Sequence, residues 1–136
     1  MHLNWTISAN GMTAPKTHGA GGAGGTILLA AKSFDGTGAK LSANGGNGAA
    51  SFGCGGGGGR IALLSPGLTP AKVHELSLRN TPGSLEELTS AAWPDLSATL
   101  TVNPGARGSN YADQKLASEG SMFYGSLIEG TVFILR

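Results

Sequence analysis

The 136-residue chain carries 24 glycines, 12% charged and 6% aromatic residues, and a formal net charge of +1 from nine basic and eight acidic side chains. Its charged share is about half of the roughly 25% usual in globular domains, and the balance lacks the basic stripe of a nucleic-acid binder, so neither a highly charged disordered segment nor a nucleic-acid partner is expected. One cysteine excludes an intrachain disulfide framework and a Cys-rich zinc site, no run of 18 apolar residues is present for membrane insertion, and the length fits one small domain.

Glycine is concentrated: 16 of the 24 lie in residues 19–59. Underneath that bias runs a repeat. Ile7-Ser8-Ala9-Asn10-Gly11 is matched by Leu41-Ser42-Ala43-Asn44-Gly45, an offset of 34, and the same offset carries Ile27 onto Ile61 and Leu29 onto Leu63. Residues 3–9 read as a first strand. The run Thr26-Ile27-Leu28-Leu29-Ala30-Ala31 is long enough for a strand and too short for a helix. Asp35-Gly36-Thr37-Gly38 reads as a turn after Phe34. Ala39-Lys40-Leu41-Ser42-Ala43 alternates with a period of two, and Asn44-Gly45 opens the next turn.

Two arrangements fit these elements. In the first, a β-solenoid, each coil pairs with the coils above and below, Asn10 and Asn44 stack as a hydrogen-bonding ladder at a corner, and the glycine runs at 19–25 and 53–59 form extended or polyproline-II-like segments. In the second, residues 26–34 and 39–43 form a hairpin, and β-hairpins pack on glycine-rich polyproline-II-type helices. In both, Asn10, Gly11, Ile27, Asn44, Gly45 and Ile61 are the repeat's structural residues.

The single domain divides into two glycine-rich repeats (1–64), an insertion (65–99) and a degenerate third repeat (100–136). The insertion holds a strand pattern at 73–78 and one short helix at 85–92: Ser84 and Glu87 make a capping box, and Trp93-Pro94 ends the helix. The third repeat is represented by Leu100-Thr101-Val102-Asn103-Pro104-Gly105 and by a strand at 129–135.

The string from Gly24-Gly25-Thr26-Ile27 through Leu41-Ser42-Ala43-Asn44-Gly45-Gly46 to Gly58-Gly59-Arg60-Ile61, closed by Gly130-Thr131-Val132-Phe133, resembles the glycine-rich repeats of large bacterial extracellular and surface proteins. Residues 26–46 also look like one coil of the β-helical adhesins related to filamentous haemagglutinin. The resemblance implies an all-β, right-handed parallel β-helix, an extracellular or cell-surface location, and an adhesive or scaffolding role. It carries no catalytic residues.

Candidate chemistry is sparse. Gly53-Cys54-Gly55-Gly56-Gly57-Gly58 satisfies G-x-G-x-x-G, but a strand follows it where a dinucleotide site needs a helix, so no cofactor is expected. His2, His18 and His74 lack metal-ligand spacing, and no metal is expected. Cys54 aligns with Ala20 of the other repeat, which reads as a small-residue slot more readily than as half of a Cys–His nucleophile pair. Glu86 and Glu87 are accounted for by the helix start and Asp35 by its turn, so catalytic residues are not assigned.

Trp93, Tyr111 and Tyr124 are the candidates for stacking on a polysaccharide. A packing role for Trp93 and Phe123, closing the open end of the core, competes with that reading. Residues 2–6 lack the apolar core of a signal peptide. Bare strand edges invite pairing, so the expected partners are neighbouring repeats of a longer chain or further copies stacking end to end into fibres. The function expected is that of a non-enzymatic structural or adhesive repeat unit, with a polysaccharide-binding or polysaccharide-processing module as the alternative.

Overall fold

The computed structural model describes residues 1–15, 18–66, 71, 96–111 and 116–125. Among these the protein is all-β, with six strands: β1 (Thr6–Ser8), β2 (Thr26–Ala30), β3 (Gly36–Ser42), β4 (Arg60–Leu64), β5 (Leu96–Thr101) and β6 (Ser121–Gly125), plus one 3-10 turn at Ser109–Tyr111. They form two three-stranded sheets, β1-β3-β5 and β2-β4-β6, with every pairing parallel. Successive strands in sequence thus fall in alternate sheets, and each strand pairs with the strand two places on.

Register follows the repeat. Ile27 pairs with Ile61 and Leu29 with Leu63, one period of 34 apart, and the next level adds Met122 and Tyr124. In the other sheet Ile7, Leu41 and Leu100 share a row. These rows face inward, and the buried residues of both sheets form one cluster that includes Ile27, Phe34, Leu41, Ile61, Leu63, Leu96, Leu100 and Tyr124. Pairing like with like keeps every apolar side chain on the core face, whereas a one-residue slip would expose the whole row.

The hairpin alternative is corrected by this topology. β2 and β3 lie in different sheets, and the connection between them turns around Phe34, which is buried at 2% exposure. Asp35-Gly36-Thr37-Gly38 is also more than a turn: Gly36 and Gly38 belong to β3 and are the two described glycines with positive φ, 129° and 74°. A Cβ on Gly36 would lie 1.9 Å from the Leu3 carbonyl oxygen. Gly38 is the extra residue of a bulge between Thr37 and Ala39, a place where left-handed backbone costs glycine least.

Between the paired strands the chain makes glycine segments at 9–14 and 19–25, at 43–48 and 53–59, and at 102–108 and 117–120. Their hydrogen bonds recur every third residue. Gly22 and Gly25 donate to the Met12 and Ala9 carbonyls, Gly46 and Ala49 to Gly22 and Gly19, Gly56 and Gly59 to Gly46 and Ala43, and Gly105 and Gly108 to Gly56 and Gly53. Donors rise by three as acceptors fall by three, so the segments in these pairs run antiparallel. Three residues per turn is the period of a polyproline-II helix, which makes no internal hydrogen bonds and must find partners outside itself.

Glycine supplies the needed proximity: a Cβ on Gly45, Gly56 or Gly105 would stand 1.9–2.0 Å from a backbone oxygen of a neighbouring segment. Each level therefore runs strand, glycine segment, turn, glycine segment, strand.

The expected helix at 85–92, the pattern at 73–78 and the run at 129–135 lie outside the described residues. The strand that stacks on β4 is β6, at Ser121–Gly125.

Candidate functional site: the edges and outer faces of the stack

Asparagine marks the corner where each strand of the first sheet passes into its glycine segment. The Asn44 backbone N–H donates to Asn10 Oδ1 at 2.8 Å, and the Asn103 N–H donates to Asn44 Oδ1 at 2.8 Å. A second column stands three residues on, where the Ala106 N–H donates to Asn47 Oδ1 at 2.8 Å. The residue after Asn10 and after Asn44 adds a backbone bond in the opposite sense: Gly11 donates to the Asn44 carbonyl at 2.7 Å and Gly45 to the Asn103 carbonyl at 2.8 Å. Consecutive levels are thus locked by one bond up and one bond down at every corner.

The ladder is open at both ends. Among the described residues nothing donates to the Asn10 or Thr13 carbonyls, the Asn10 N–H has no acceptor, and Asn103 Oδ1 has no donor. The two ends differ at one position. Register places Pro104 where the lower levels have Gly11 and Gly45, and proline has no N–H to donate. The third level also holds its two glycine segments together through the Gly120 N–H to Val102 carbonyl bond alone among the described residues, whereas the second level has three such bonds.

The outer faces of the sheets are unlike. The first sheet shows Thr6, Lys40 and Thr99 in one row and Ser8, Ser42 and Thr101 in the next, continued by the asparagine column. On the second sheet Leu28 and Phe123, 61% and 54% exposed, flank the buried Ala62, beside a row in which Arg60 Nε donates to Ser121 Oγ at 3.2 Å. Phe123 therefore sits on the outer face and does not close the core.

The candidate stacking residues are not brought together. Tyr124 is buried at 8% exposure on the inner row, so its ring is not available to a sugar. The side chains of Trp93 and Tyr111 lie outside the described residues. His18 and Phe52, one period apart, stack on each other at 5.2 Å with an interplanar angle of 3°, and the Ser109 and Asn110 bonds to Ala50 and Ser51 set the backbone of Tyr111 on the level above Phe52. Trp5 is exposed at 66%. Cys54 is a free, exposed thiol, on a segment packed with glycine and away from any acidic or metal-ligating cluster; no group of three or more His, Cys, Asp or Glu side chains is gathered among the described residues.

Reasoning from sequence missed β6 and the Asn47 column. The signal for β6 was Gly120, which occupies the place of Gly59 ahead of the strand. The offset there is 61, while at β5 it is 59, so no fixed period aligns both halves of the third level.

No family model, no curated protein and no solved structure matches the chain.

Proposed function

We propose that the chain is a short right-handed β-solenoid that acts as a non-enzymatic structural unit of an extracellular or cell-surface scaffold, working by stacking with neighbouring repeats. The observation that carries the reading is the asparagine–glycine corner, which joins one level to the next by the same paired hydrogen bonds at each step and leaves unused donors and acceptors at the ends. The resemblance to glycine-rich surface repeats supports the location, and the polar outer face of the first sheet is where an adhesive role would fall.

In such a stack stability is the sum of level and interface contributions, so adding a level must raise it. The test inserts a second copy of residues 9–42 after Ser42, one whole period in register. The thermal midpoint is expected to rise by several degrees, since 1 kcal/mol moves a chain of this size by roughly 2–4 °C. An unchanged or lowered midpoint in a folded protein overturns the reading.

A further inference from the structure

The two open ends of the asparagine ladder are not equivalent. At the β1 end, Asn10 offers an N–H and a carbonyl oxygen, and Thr13 a carbonyl oxygen, with no partner among the described residues. Those are the groups that Asn44 and Asn47 use to receive the first level: the Asn44 N–H meets Asn10 Oδ1, and the Asn44 and Asn47 carbonyls accept from Gly11 and Ala14 at 2.7 and 2.9 Å. The β1 end is therefore a complete acceptor for one more Asn-Gly corner.

At the β5 end, Asn103 Oδ1 is available, but the N–H that should accompany it is replaced by the ring of Pro104. The ring carbon bonded to that nitrogen occupies the space through which Gly11 and Gly45 donate to the next level. A corner docked there would bury an unpaired carbonyl and meet the ring, a penalty of the kind by which natural sheets blunt their edges with proline.

We propose that stacking has a direction: the edge formed by β1 and residues 9–14 docks the open Asn-Gly corner of a preceding glycine-rich repeat, and Pro104 closes the opposite edge to any further level. The partner is a strand followed by Ala-Asn-Gly, the chemistry of residues 41–45, presented with its glycine N–H unused. A copy of this chain does not qualify, because its own free corner is Asn103-Pro104. Identical copies accordingly do not grow into a fibre, and the chain serves as the terminal level of an array. This inference rests on the structural-unit reading above and adds the partner and the polarity.

Pro104→Gly restores the missing donor and makes the two edges complementary. Light scattering across a concentration series is expected to find the wild type monomeric at 13.5 kDa and the variant forming head-to-tail oligomers whose mass grows with concentration. Wild type added in equal amount shortens those oligomers, since it joins by its β1 edge and then offers Pro104. Three results overturn the proposal: wild type that polymerises like the variant, a variant with unchanged circular dichroism that stays monomeric, or oligomers that wild type fails to shorten. Duplication of residues 9–42 separates the two claims. If it stabilises the chain while Pro104→Gly remains monomeric, the polarity fails and the stacking unit stands.

Discussion

Gly45→Ala is expected to unfold the protein or to cost it about 4 kcal/mol or more. The added Cβ would stand 2.0 Å from the Gly56 carbonyl oxygen and 2.7 Å from that of Gly57, both backbone atoms. Neither can move freely. The Gly56 carbonyl accepts from Gly105 at 2.8 Å, and the Gly56 N–H donates to the Gly46 carbonyl at 2.9 Å. Making room breaks bonds across the layer and to the next level together. Overpacking alone costs about 1–3 kcal/mol, and each lost hydrogen bond adds about 1 kcal/mol, against a typical total of roughly 5–15 kcal/mol.

Gly57→Ala is the control, because the nearest atom to its added Cβ is the Ser118 oxygen at 3.6 Å, an ordinary contact. It is expected to change stability by no more than about 0.5 kcal/mol. Urea titrations followed by circular dichroism measure both. Equal stability of the two variants would contradict the close approach of the segments.

Ile61→Ala is the second large effect, with an expected loss of about 2–5 kcal/mol. Ile61 is fully buried in the central strand of its sheet, between Ile27 and Met122. Its neighbours are held in register by the backbone on both sides, so they cannot collapse into the space left behind. Leu28→Ala, one residue from Ile27 but on the outer face and 61% exposed, is expected to cost less than about 1 kcal/mol, because little of its area leaves water on folding. Denaturant midpoints with unchanged slopes would report both values. A Leu28 variant as unstable as the Ile61 variant would mean that the outer face is covered.

Much of the stack was legible because its parts repeat. Ser-Ala-Asn-Gly at 8–11 and 42–45, and Ile-x-Leu at 27–29 and 61–63, carry the period of 34 that the backbone uses as its pairing register. The all-β character followed from short apolar runs separated by glycine, whereas those runs fitted both a stacked and a hairpin arrangement and parallel pairing was implied by the resemblance alone. What escaped was whatever the repeat does not encode. The third level is displaced by the insertion, and its strand in the second sheet reads Ser-Met-Phe-Tyr-Gly, whose inward residues Met122 and Tyr124 take the register positions of Ile61 and Leu63 without their sequence.

The glycines illustrate a second limit. Their abundance announces close packing, yet Gly45 and Gly57 look alike in sequence and differ only in what stands opposite them. Pro104 was visible as a departure from Asn-Gly, but its meaning depends on knowing that the glycine N–H it replaces is the one that points to the next level. Tyr124 misled for the converse reason: strand alternation decides which aromatic of 121–125 faces inward, and that phase is set by pairing with β4.

Amide hydrogen exchange resolved residue by residue is the measurement that most directly tests the central claim, that the glycine segments are ordered walls of the stack, bonded across layers and levels. The N–H groups of Gly45, Gly46, Gly48 and Gly56, all donors to carbonyls of other segments, are predicted to be protected to the same degree as those of Ile61 and Leu63 in β4. Exchange of these glycine amides at unstructured rates, with β4 still protected, would contradict the account, since the levels would then be joined by their strands alone.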